Sequence, residues 1–150
     1  MTFPASGLFV ATFLDIFDTT QLAIDLDLET HKVALFLDAI VTPSLTADTA
    51  YGVSPWNANE ASGTGYAAGG IAVTTTTFTH TGSGVCMWDA ADPSWATSTI
   101  TARGALYYAD ALAGNNAIFA QTFGADIVST AGTFLITLAA GGIFSFDVVP

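Results

Sequence analysis

Residues 59–73 read NEASGTGYAAGGIAV. Gly63, Gly65, Gly69 and Gly70 cluster around Tyr66, and Ile71, Val73 and the threonine run 74–77 follow at once. Glycine is favoured where φ must be positive or where two backbones approach closely. The cluster therefore predicts a tight turn or chain crossing that feeds a strand. Gly63-Thr64-Gly65 has part of the spacing of a dinucleotide-binding fingerprint, but that fingerprint has to open a helix inside a βαβ unit. Here β-branched residues follow, which favours a strand. No cofactor is expected.

Working downstream, the strand continues through residues 78–81 to the turn Gly82-Ser83-Gly84, and residues 85–88 return as the second arm of a hairpin. His80 and Cys86 face each other across it, and two candidate ligands do not make a zinc site, so no metal is expected. Asp89, Asp92 and Pro93 form a loop before Trp95. Residues 98–108, STITARGALYY, read as a central strand carrying Arg103, the lone arginine. A half-buried guanidinium needs a carboxylate or carbonyl partner, and Glu60, Asp89 and Asp92 are the acids expected to supply it. Residues 110–116 form a turn, 117–123 a strand and 124–132 another turn. Residues 133–138 and 143–149 then form a closing hairpin around Gly141-Gly142.

Upstream, HKVALFLD at residues 31–38 is apolar enough to be a strand buried on both faces, with His31 packed at its start. Residues 43–55 are a loop rich in Thr, Ser and Pro. Tyr51 and Trp56 either pin this loop onto the body of the fold or form an exposed contact patch. In residues 23–28, Ile24, Leu26 and Leu28 alternate with Asp25, Asp27 and Glu29, the pattern of a half-buried strand. Its three carboxylates read as a solvated face, because a flat row of acids does not wrap a calcium ion. Leu8, Phe9, Phe13, Ile16 and Phe17 fall near helical spacing, so residues 8–17 predict a short helix capped by Thr2 or Ser6, with a strand as the alternative.

The chain has 150 residues, one domain in size, with 51% hydrophobic and 10% charged residues. That composition excludes disorder. Against about 25% charged residues in an average globular protein, it implies surface covered by other subunits, hence a homo-oligomer or repeated partner contacts. The net charge is −11, and Lys32 and Arg103 are the only cations. Phosphate neutralisation and polybasic membrane docking both need clusters of cations, so neither nucleic acid nor a membrane is an expected partner. Cys86 stands alone and no intrachain disulfide is possible. The apolar segment 3–14 lacks the basic start of a signal peptide. The charge-free window 127–146 alternates like strands and is interrupted by Gly, Ser and Thr, unlike a membrane helix. Together these readings predict an all-β chain: a single β-sandwich of about eight strands over residues 22–150, preceded by an N-terminal arm or short helix at 1–21.

Five stretches then fall in one order: HKVALF (31–36), ExSGTGYxAGG (60–70), DPSW (92–95), ITARGA (100–105) and GTF (132–134). Over residues 22–146 that order resembles a family of small structural proteins of tailed bacteriophages. The resemblance implies a β-sandwich virion or tail-associated protein with no catalytic residues. Gly63, Gly65, Tyr66, Gly69, Gly70 and Arg103 would be its structural motif. The expected function is non-enzymatic: decorating or cementing the capsid in the virion, after assembly in the host cytoplasm. The expected partners are the major capsid protein or other virion proteins, and copies of the chain itself. Phe9, Phe13, Phe17, Tyr51 and Trp56 are the candidate contact residues. The alternatives are a tail, neck or fibre-attachment protein, and a carbohydrate- or receptor-binding module stacking ligand on Trp56, Trp88, Trp95 and Tyr51.

Overall fold

The computed structural model describes residues 3–18 and 21–149. The chain is mostly β with one short helix, arranged as two antiparallel sheets in a sandwich-like fold. Its elements in order are β1 (Gly7–Leu8), α1 (Val10–Phe17), β2 (Lys32–Phe36), β3 (Ile71–Ala72), β4 (Thr77–His80), β5 (Val85–Asp89), β6 (Ser94–Tyr108), β7 (Ala117–Leu135) and β8 (Phe144–Asp147). The larger sheet runs β1-β7-β6-β2-β3 and the smaller β4-β5-β8.

The apolar run in β2 has a direct cause. Successive side chains of a strand point to opposite faces, and both faces of β2 are covered. Val33 and Leu35 enter the core between the two sheets, with Trp88, Tyr107 and Ile143. Ala34 and Phe36 enter a second core on the far face, with Phe3, Phe9, Ile40 and Trp56. β6 repeats the arrangement, sending Ala105 and Tyr107 one way and Leu106 and Tyr108 the other. The larger sheet is thus the middle layer. The smaller sheet covers one face, and the N-terminal segment with the 40–56 loop covers the other.

β2, the β4–β5 hairpin and β6 stand where the sequence places them, with His80 opposite Cys86 and His31 fully buried against Trp88. Elsewhere tertiary pairing overrides the local pattern. Residues 124–132 are no turn: β7 runs unbroken from Ala117 to Leu135, and its irregularity is absorbed as register shifts against β6. The final segments are no hairpin with each other, since β8 leaves β7 and pairs with β5 in the other sheet. The predicted strand from Ile71 to Thr81 divides into β3 and β4, one in each sheet.

Residues 23–28 form no strand either. Asp25 Oδ1 accepts from the amides of Asp27 and Leu28, at 3.0 and 3.1 Å, and these bonds fold the segment into a turn. Ile24 and Leu26 still pack inward against the core, while Leu28 is 86% exposed. The helix starts two residues later than the earliest periodic residue, Leu8, and without a side-chain cap. Ser6 instead accepts a bond from the Thr122 amide, and Thr2 lies outside the described residues. Among the described residues no helix is long and apolar enough to cross a membrane.

Candidate docking face

Phe9, Phe13 and Phe17 are spaced four apart, so on a helix they form one stripe. The stripe begins in the core and runs out of it. Phe9 is fully buried beside Trp56, with ring centroids 5.6 Å apart. Phe13 is 41% exposed and Phe17 75% exposed. The buried Thr12 anchors the helix by donating from Oγ1 to the Ala117 carbonyl at 2.6 Å. Val10 and Leu14 are exposed as well. A helix at a protein surface normally turns a polar face to water; α1 has only Asp15 for that purpose within Val10–Phe17.

Beside the helix lies a groove of about 330 Å³. Phe13, Ile16 and Phe17 form one wall, the turn segment 24–27 another, and Phe78, Phe144 and Phe146 of the smaller sheet the floor. The turn wall is pinned from three sides. The Trp88 indole donates to the Leu26 carbonyl at 3.0 Å, and His31 Nε2 donates to the Asp25 carbonyl at 2.8 Å. The Phe78 amide donates to Asp27 Oδ1. Asp25 and Asp27 stand on the groove's lining, and no ion pair to either is formed among the described residues. The sequence reading found the phenylalanine stripe of α1 but not the groove. Its other walls come from the turn at residues 24–27, from Phe78, and from Phe144 and Phe146 more than a hundred positions away, and no local pattern brings these together.

The glycine motif lies elsewhere and serves the fold. From Glu60, which bridges Phe36, the chain crosses the open side of β6: the Ala61 amide donates to Leu35 and the Thr99 amide to Thr64. Gly63 has φ of 138° and Gly70 of 72°. A Cβ would overlap the Thr99 carbonyl oxygen at the first and that of Val33 at the second. Gly65 packs less tightly, a Cβ there lying 3.0 Å from Ser98 Cα. The Glu60 carboxylate closes the motif by accepting from Tyr66 Oη (2.7 Å), the Gly69 amide (2.7 Å) and Tyr51 Oη (2.9 Å). Tyr66 Oη also accepts from the Leu35 amide, Tyr108 Oη donates to the Gly69 carbonyl, and the Tyr51 and Tyr108 rings stack at 4.4 Å. Burial first, then the Glu60 hydrogen bond and charge, push the Tyr51 phenol up to about 12 and Tyr66 higher still. These phenols stay protonated near neutral pH and act as fixed donors, with Glu60's oxygens already filled.

Arg103 does not reach Glu60, Asp89 or Asp92. Its guanidinium pairs with Asp126 at 2.9 Å and Asp38 at 3.3 Å, and donates to the Gly124 carbonyl. It therefore fastens the bulge of β7 to β6. Of the candidate contact residues, Phe9 and Trp56 are corrected to core positions: Trp56 is 1% exposed and donates to Asp48 at 2.8 Å. Tyr51 is half-buried in the Glu60 cluster, which leaves Phe13 and Phe17 on the surface. Trp88 and Trp95 are buried too, so no indole is free to stack on a sugar. Among the described residues no group of three or more His, Cys, Asp or Glu side chains is placed to hold a metal ion.

No protein-family model, curated protein or solved structure matches the chain.

Proposed function

We propose that this chain is a non-enzymatic structural protein of a bacteriophage virion, decorating the capsid shell and docking through the outer face of α1. One observation carries the docking. A rigid sandwich holds Phe13, Leu14 and Phe17 out to solvent beside an apolar groove, and apolar surface gathered in that way marks a contact site. The order of motifs, which resembles that of tailed-phage structural proteins, supports the virion setting. The polar cluster around Glu60 supports a structural reading, because its donors and acceptors are spent on each other.

Repeated contacts of this kind stabilise a shell by burying apolar area, at roughly 25 cal/mol per Å² before ordering costs. Contacts between copies have a different surface available. Ile127, Val128 and Leu135 are exposed along β7, beyond the reach of β1, in a segment without charge after Asp126. The deciding experiment is quantitative mass spectrometry of purified particles, with the chain intact and with Phe13→Ser/Phe17→Ser. A copy number near that of the major capsid protein, or a simple fraction of it, with incorporation lost in the variant, is the expected result. A few dozen copies would move the chain to tail or neck, and its absence would end the virion reading.

A further inference from the structure

We infer that the α1 groove receives a cationic apolar segment of a different protein, one or two large apolar side chains flanked by Lys or Arg, and not a second copy of this chain. This rests on α1 being a docking face, as proposed above, but not on where the protein resides.

The argument is one of charge. The groove is apolar at its floor, while Asp25 and Asp27 line it and Asp15 stands on the helix that forms its wall. Asp25, Asp27 and Glu29 follow one another at alternate positions in the turn wall, and no Lys or Arg precedes Lys32. An occupant has to bring positive charge to this rim. A second copy has none to bring. Its only cations are already engaged, Lys32 with Asp110 at 3.2 Å and Arg103 with Asp38 and Asp126. A two-fold dimer through this face would be worse still. Such an interface presents the same patch from both sides, so the acidic rim would meet itself, and like charges facing across an interface reject the partner. The groove's volume, about 330 Å³, is at the small end of binding cavities and suits an anchor side chain with its neighbours.

The test uses the full chain and two short synthetic peptides with the same Leu and Phe anchors, one flanked by Lys and one by Glu. Binding is measured by fluorescence anisotropy. The Lys peptide should bind at least about tenfold more tightly than the Glu peptide, and the preference should shrink as salt shortens the screening length below about 10 Å. The triple variant Asp15→Asn/Asp25→Asn/Asp27→Asn keeps an acceptor oxygen at each position, so it should stay folded with its melting temperature lowered by only a few degrees while the preference disappears. Equal binding of both peptides, or binding of neither, overturns the inference. So does a dimer in sedimentation that Phe17→Ser dissociates, which would put a second copy on the face. Co-sedimentation with phosphatidylcholine vesicles would put lipid there instead and overturn it equally. A clear Lys preference combined with absence of the intact chain from purified particles would sink the virion reading and leave this one standing.

Discussion

Replacing Glu60 tests whether the glycine motif is a brace for the fold. Its carboxylate accepts three bonds, from Tyr66 Oη, the Gly69 amide and Tyr51 Oη. A hydrogen bond to a charged group contributes about 1.5–3 kcal/mol. Tyr51 is only half-buried and water can take over part of its bond, so two bonds count in full. At the lower figure Glu60→Ala then costs about 3 kcal/mol. For a chain of this size each kcal/mol moves the melting temperature by roughly 2–4 °C, which gives a fall of roughly 6–12 °C by calorimetry. Glu60→Gln keeps a carbonyl oxygen for Tyr66 and Gly69, which share one carboxylate oxygen, and should cost only about 1 kcal/mol. Tyr66→Phe combined with Glu60→Ala should cost less than the sum of the two, because they remove one shared bond. An alanine variant melting within about 2 °C of the parent would refute the reasoning: the loop would then be held by its backbone bonds to β2 and β6 alone.

Four further outcomes are expected. All four tyrosines have phenols raised from the ordinary 10.0, by burial first, with Tyr51 near 12 and Tyr66, Tyr107 and Tyr108 higher. The protonated form is the one the fold favours, so this stability is complete below pH 10 and is lost as pH rises through the folded values. Phenolate absorbance should therefore stay low at pH 10 and appear together with unfolding at higher pH; ordinary titration around 10 in the folded protein would contradict it. Trp56→Ala removes a core indole that packs edge-on against Phe3, Phe9 and Phe36 and should cost about 3–5 kcal/mol in urea unfolding. Gly70→Ala meets both a positive φ and the Val33 carbonyl, so it should destabilise by more than about 1 kcal/mol and expose the β2 amides to hydrogen exchange. Phe17→Ser, at a side chain already 75% exposed, should change stability by no more than about 0.5 kcal/mol while weakening Lys-peptide binding; a loss as large as that of Trp56→Ala would mean the stripe belongs to the core.

Legibility followed the range of the forces involved. β2 could be read because a strand buried on both faces has to be apolar throughout, and the β4–β5 hairpin because Gly82-Ser83-Gly84 marks its own turn. β7 could not. Gly124 and Gly132 are turn residues by local preference, and only the pairing with β6 along almost its whole length holds them in a strand. That error carried another with it. Ala102 pairs with Ile127, which brings Asp126 beside Arg103, so placing 124–132 in a turn hid the arginine's partner. At residues 23–28 the alternation holds in burial as far as Leu26 but not in hydrogen bonding, since Asp25 satisfies the backbone through its own side chain. Phe9 and Phe17 share one stripe, and no spacing rule tells where along it the core ends. For Trp56, pin or patch is decided by Asp48 Oδ2, which accepts a hydrogen bond from the indole N–H beside the second core.

The distribution of charge separates what holds this molecule together from what it offers to others. Both cations are used inside the chain, Arg103 at the β6–β7 bulge and Lys32 at Asp110 beyond the end of β6. Asp25, Asp27 and Glu29 have no such counterpart among the described residues: they make hydrogen bonds to backbone amides. Those bonds fix the turn wall of the groove but leave its negative charge uncompensated, and uncompensated like charge works against the compact state. A fold with only two cations could have placed one here and instead spends both elsewhere. The groove rim is therefore the place where a positively charged partner gains most, because there it relieves repulsion that the free chain carries and covers apolar side chains that the free chain leaves in water.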